Sequence, residues 1–159
     1  RLQTQPDTLE ARVEQLTQEL AAARRQIAQY QRDNAQQQAE ELAQHAQQIA
    51  GVQVVAKTVD VPDDQVLREM GDMVRTKLSP MGVVVLASNF GERIGLQVNV
   101  DPALTRRGLH AGKIASKVGE RLGGKGGGRP EAAQGGGKNK AELGAALDLV
   151  TGLVQEALK

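Results

Sequence analysis

Apolar residues recur from Leu9 in steps of four and three, at Val13, Leu16, Leu20, Ala23, Ile27 and Tyr30, with Asn34 next in register. This spacing lays one apolar stripe along a helix and matches the heptad seam of a coiled coil. Asp7 or Thr8 can cap the start, with Glu10 and Glu14 on the wet face near the positive helix end, so the helix is expected to begin near residue 8. Between Asp33 and Glu41 the stripe turns polar, and Leu42, Ala46 and Ile49 resume it in a shifted register, which weakens any pairing in the middle. Some forty helical residues at about 1.5 Å each reach roughly 60 Å, longer than a domain of the remaining length is wide, so much of this arm must project or pair. Leu9, Val13, Leu16, Leu20, Ile27 and Tyr30 are therefore the candidate dimerisation residues. The alternative is a single arm whose stripe folds back on the chain's own globular part or on sequence upstream of it, with no dimer formed. Buried in the seam, Asn34 would select register in a two-stranded coil; on a solvated turn it would have no such role.

At Gly51 the pattern changes. GVQVVAKTV, residues 51–59, is short and rich in β-branched side chains and predicts a strand. After Pro62, with Asp63 and Asp64 in a first turn, Val66, Met70, Val74 and Leu78 repeat every four residues and predict an amphipathic helix. GVVVLA, residues 82–87, is continuously apolar and reads as a central strand covered on both faces. IGLQVNV, residues 94–100, alternates, and the NFGER turn before it makes the pair a hairpin that Asp101 and Pro102 end. Helices are predicted near Gly108 to Leu122 and Lys140 to Leu158, separated by a glycine-rich loop. The expected architecture is a long N-terminal helix, 1–50, followed by a small α+β (or α/β) sheet-and-helix domain, 51–159. The element order is α-β-α-β-β-α-loop-α.

Length and composition narrow the function classes. A chain of 159 residues holds one domain with an appendage, and Tyr30 and Phe90 are its only aromatic residues, which excludes aromatic base-stacking platforms. Cysteine is absent and His45 and His110 are the only histidines, so neither thiolate chemistry nor a catalytic metal site is expected. The apolar run from Met81 to Ala87 is too short to cross a bilayer, and a reducing, cytoplasmic setting is the expectation. The chain opens on Arg1 directly in a polar helical pattern, and is read as a piece of a longer protein.

The net charge of +1 hides an asymmetry: residues 105–140 carry nine cations, Arg106, Arg107, Lys113, Lys117, Arg121, Lys125, Arg129, Lys138 and Lys140, against Glu120 and Glu131. Lys113, Lys117 and Arg121 share one helical stripe, beside an inward apolar stripe of Ile114, Val118 and Leu122. Three cations alone make an ordinary solvated face. Nine in one window, repelling one another, point to an anionic partner such as a polyphosphate backbone. Residues 123–137, GGKGGGRPEAAQGGG, hold eight glycines in fifteen. Ordering them is entropically costly and needs packing or a ligand; in return, the bare backbone can approach a surface and aim N–H groups at oxygens. A flexible tether is the other reading, against which Pro130 and the two cations argue.

Known nucleotide signatures fail. A Walker loop would need Gly at Ala132 and Ser or Thr at Asn139, and no GxGxxG register fits. His110, at a helix start, is read as structural or phosphate-touching, and no nucleophile, base and orienter set can be assembled. Phe90 is read as a hairpin anchor rather than a stacking residue.

The stretch GGKGGGRPEAAQGGG, its approach NVDPALTRRGLHAGKIASKVGERLGG, the preceding element order and the long leading helix closely resemble the C-terminal domain of alanyl-tRNA synthetases, the DHHA1 domain. The resemblance covers the whole chain. It implies a noncatalytic appendage that grips the elbow of tRNA and forms dimers through its helical arm, in support of aminoacylation and editing carried out elsewhere. It implies no cofactor here; ATP, Mg and Zn would belong to other domains of an alanine-tRNA ligase. Among candidate tRNA-binding residues, Gly124, Lys125, Gly126, Gly127, Gly128 and Arg129 match the family motif, whereas Arg106, Arg107, Lys113, Lys117 and Arg121 are inferred from charge. One alternative is the same domain in DHH-type phosphoesterases; here Arg129 stands where their GGGH-like motif has histidine, and no DHH motif occurs. A purely structural coiled-coil module is the other.

Overall fold

The computed structural model describes residues 6–158 and divides into two compact units, with the division between Gln37 and Gln38. Helix α1, Pro6–Gln44, carries the predicted stripe: Leu9, Val13, Leu16, Leu20, Ile27 and Tyr30 are all 47–66% exposed, and Asn34 is exposed as well. On its wet face Arg12 donates to Gln15 and Gln15 to Glu19, each at 3.1 Å, the side-chain pairing that supports a helix without tertiary contacts. The helix ends within its shifted stripe, after Leu42 and before Ala46 and Ile49. Ile49 is not helical but buried in strand β1, Gln47–Ile49, which pairs antiparallel with β2, Val52–Thr58. Ala50 (φ 53°) and Gly51 (φ 81°) form the two-residue turn between them. Such a turn needs positive φ at both central positions, and only the second is a glycine, so its signal was half missing. Gly51 is therefore the second residue of a turn between two strands rather than the first residue of a strand.

The sheet is mixed and six-stranded, in the order β1-β2-β3-β4-β6-β5. Strand β2 runs parallel to β3, Gly82–Asn89, through the crossover helix α2, Asp64–Leu78; β4, Ile94–Val100, is antiparallel to β3. Asp63 caps α2 by accepting from Val66 N at 2.9 Å, and Leu67, Met70, Val74 and Leu78 bury its inner face, with Leu67 in the first-turn place that the spacing gave to Val66. Helix α2 lies on the face of Val84, Leu86, Gln97 and Asn99. The other face carries Val83, Val85, Ala87, Ile94, Leu96, Val98 and Val100. It packs on α4, Ala111–Arg121, and α5, Leu143–Ala157, which a 3-10 turn, Lys140–Glu142, introduces. With both faces covered, every residue of β4 is buried, including the polar ones that made its pattern alternate.

A short helix α3, Pro102–Thr105, follows β4. Before it, the buried Asp101 carboxylate accepts from Gly82 N at 2.8 Å and lies 3.6 Å from Arg75, joining the start of β3, the end of β4 and α2. Among the described residues no helix is long and apolar enough to cross a membrane.

Candidate nucleic-acid interface

The glycine-rich segment is not a loop. Lys125–Gly128 forms β5 and Ala132–Gly137 forms β6, an antiparallel hairpin joined to β4 and ending the sheet. Arg129 N donates to Ala132 O at 2.9 Å across the tip, and Ala111 N, at the start of α4, donates to Pro130 O at 2.8 Å. Strand propensity alone would reject such a sequence. What overrides it is the approach of α4. A Cβ on Gly126 would lie 2.1 Å from Ala115 O, one on Gly119 2.7 Å from Lys125 C, and one on Gly112 2.6 Å from Gly128 O. Helix and strand thus meet backbone to backbone, which only glycine allows. The ordering that seemed to need either packing or a ligand is supplied by packing.

This arrangement separates residues that the linear sequence grouped. Gly126 faces α4, so its strand neighbours Lys125 and Gly127 face the opposite side of the sheet. Lys113, Lys117 and Arg121 lie on the outer face of α4, with Ile114, Val118 and Leu122 buried beneath as expected. The cations and glycines grouped in one window of sequence therefore lie on two surfaces flanking the edge strand β5. Gly124, Gly126 and Gly128 are packed against backbone, whereas a Cβ on Gly127 would meet nothing within 4 Å. Arg129 is exposed at the hairpin tip, and Arg106 and Arg107 are exposed just after α3.

Arg121 Nε sits 2.8 Å from Glu142 Oε2, an ion pair that removes it from the free cations. Lys140 donates to Gly91 O. Among the described residues, Arg106, Arg107, Lys113, Lys117, Lys125, Arg129 and Lys138 form no ion pair. Lys113 and Lys117 border a groove of about 370 Å³ between α4 and α5, beside Leu153 and Glu156. His110 caps α4, its Nδ1 accepting from Lys113 N at 3.3 Å, which assigns it the structural one of its two expected roles.

On the other face, α2 covers β3 and β4 but leaves the hairpin open, and a recess of about 200 Å³ lies between them. Its floor is Gly127, Gly128 and Gln97; Arg68 of α2 stands at one side and Arg129 at another. A neighbouring pocket of about 470 Å³, lined by Glu69, Asp72 and Gln134, shares Arg68 with it. Nearby, Asp64 accepts from Arg93 and raises its pKa, first by this hydrogen bond and then by charge. The Arg93 guanidinium lies 4.9 Å over the half-buried Phe90 ring, which packs where a Cβ on Gly95 would be, so Phe90 is the hairpin anchor expected of it. Sequence reasoning missed Arg68, Gln97 and Asn99. The available signal was two amides in a strand otherwise built for a core.

Residues 51–156 match the DHHA1 domain family. The alanine–tRNA ligase of Listeria innocua is 39% identical over 145 residues, 91% of this chain and 16% of that protein. The alanine–tRNA ligase of Acetivibrio thermocellus is 35% identical over 157 residues, 99% of this chain and 18% of that protein. This chain thus spans less than a fifth of the length of those ligases. The crystal structure of the C-Ala domain from Aquifex aeolicus alanyl-tRNA synthetase aligns at a TM-score of 0.64 and 26% identity, over 69% of this chain and 97% of that one. It shares the α+β core of a mixed sheet between helices. By family match, sequence and fold, the chain belongs to the DHHA1 domain family.

Proposed function

We propose that this chain is a noncatalytic tRNA-binding appendage of an alanine–tRNA ligase, docking on the elbow of folded tRNA in support of aminoacylation and editing by other domains. The observation that carries this is the edge strand β5, with a glycine-floored open face on one side and the unpaired cations of α4 on the other. A phosphate backbone crossing that edge meets Lys113 and Lys117 on α4 and Lys125 and Arg129 on the hairpin. Such binding neutralises phosphates and reads RNA by shape, with little dependence on sequence. The similarity to alanine–tRNA ligases over nearly the whole chain supports tRNA as the RNA.

In the same reading, α1 joins two copies of the chain. Six large apolar side chains at heptad spacing stand exposed along one stripe, and a second identical stripe is the partner that this spacing fits.

Fluorescence anisotropy of labelled tRNA across 50–200 mM salt tests the RNA reading. Affinity is expected to fall steeply, and Lys117→Ala and Lys125→Ala are each expected to flatten the log–log slope by about one unit. Arg121→Ala, already matched to Glu142, should change it less. Salt-insensitive binding, or a slope unmoved by both lysine changes, rejects the proposal.

A further inference from the structure

Beneath the open hairpin, three side chains form a ladder of one-way hydrogen bonds. Asn99 Nδ2 donates to Asp72 Oδ1 at 2.7 Å, and Gln97 Nε2 donates to Asn99 Oδ1 at 2.9 Å. The carboxylate sets the direction: an ionised Asp72 can only accept, so Asn99 must turn its amino group to it and its oxygen to Gln97, which must answer with its own amino group. Gln97 Oε1 is left over. It is a buried acceptor without a protein partner, on a side chain 2% exposed that lines the recess between Arg68 and Arg129. A buried acceptor without a partner is expensive, and here the orientation that leaves it so is imposed by three residues in series.

The recess limits what can enter. At about 200 Å³ it is smaller than the clefts of drug-sized ligands and suits one ring system. No aromatic residue lines it, but guanidinium planes also stack bases, and Arg68 and Arg129 supply two. Its charged lining is Arg68 and Arg129 alone, and Glu69 and Asp72 stand in the adjoining pocket that shares Arg68, so the acids at its border disfavour a run of phosphates and leave a base edge with one phosphate.

We propose that Gln97 Oε1, aimed by the Asp72–Asn99–Gln97 ladder, accepts a hydrogen bond from a donor N–H on an unpaired nucleobase of the bound RNA, held between Arg68 and Arg129 over Gly127. This rests on the RNA-binding reading above and adds a base-reading residue to a surface otherwise sensitive only to shape.

The test uses the full chain with labelled tRNA, and with AMP and purine riboside 5′-monophosphate, which lacks the amino donor. Gln97→Leu is expected to weaken tRNA binding about tenfold, the loss of one hydrogen bond, with the salt slope unchanged. The preference for AMP over the purine analogue, read from the amide shift of Gly127, should vanish. Asp72→Asn keeps an exposed side chain of the same shape but frees both amides to turn, so it should also erase the preference while leaving the thermal midpoint in place. Unchanged tRNA affinity in a folded Gln97→Leu protein overturns the inference and leaves RNA binding intact. So does an AMP preference that survives Asp72→Asn, or a Gln97 effect confined to AMP, which would mark a free-nucleotide site. Wild-type binding to tRNA that ignores salt sinks the RNA reading itself.

Discussion

Adjacent glycines of β5 should respond in opposite ways to the same methyl group. Gly126 faces α4, where a Cβ would stand 2.1 Å from Ala115 O and 2.4 Å from Ala115 C. Ordinary contact begins near 3.4 Å, so α4 and β5 would have to part by more than 1 Å, loosening the neighbouring approaches of Gly112 to Gly128 and of Gly119 to Lys125. Overpacking costs about 1–3 kcal/mol where side chains can adjust. Two backbones cannot rotate away, so Gly126→Ala belongs at the upper end, about 3 kcal/mol. For a chain of this size that lowers the thermal midpoint by roughly 6–12 °C. At Gly127 the methyl meets open space, and the lost freedom of the unfolded chain stabilises the protein by about 0.4–1 kcal/mol. Thermal and urea unfolding of the two variants, followed by circular dichroism, gives both numbers. If the two variants unfold alike, the segment is a loop after all, and the alternation of faces on which both candidate surfaces depend is wrong.

Asp101→Ala removes the acceptor of Gly82 N in a buried position and should cost about 1–3 kcal/mol in urea unfolding; a change under about 0.5 kcal/mol would mean that the carboxylate does not tie β3 to β4. Leu16→Glu with Leu20→Glu should shift the sedimentation mass from two chains to one, and a wild-type protein that is monomeric at high concentration rejects the paired arm. Glu142→Gln releases Arg121 and should raise tRNA affinity modestly at low salt without altering stability by more than about 1 kcal/mol, because the pair is partly exposed; weaker binding would show that Arg121 needs Glu142 for its placement.

Where a pattern repeats locally, the structure follows it. The helical arm, α2 and the inward stripe of α4 were legible because a 3.6-residue period depends only on which face meets water, and β3 was legible as a continuous apolar run; β4 was legible as a strand, but its alternation implied a wet face that α2 covers. The small α3 and the β1–β2 turn were not, since a few residues carry no period and Ala50 adopts positive φ without any sequence mark. Even so, what was misplaced in the arm was its end. Ile49 continued a helical spacing, yet its burial in β1 outweighs one more helical turn.

The chain's own order of residues set its charge balance, its heptad stripe and the clustering of nine cations in one window, because these are properties of composition and short spacing. It could not say that six of the eight glycines lie in a hairpin ending the sheet rather than in a loop. Glycine by itself favours a turn over a strand, and the choice was reversed by α4, whose small residues at 112, 115 and 119 let two backbones touch. That single packing event turned Lys125 and Gly127 away from Lys113 and Lys117, and set Gln97 beneath the opened face. Two surfaces and a buried acceptor therefore stand where the sequence showed one basic segment. Which side of a sheet a residue faces depends on what covers the other side, and the covering helices come from distant parts of the chain.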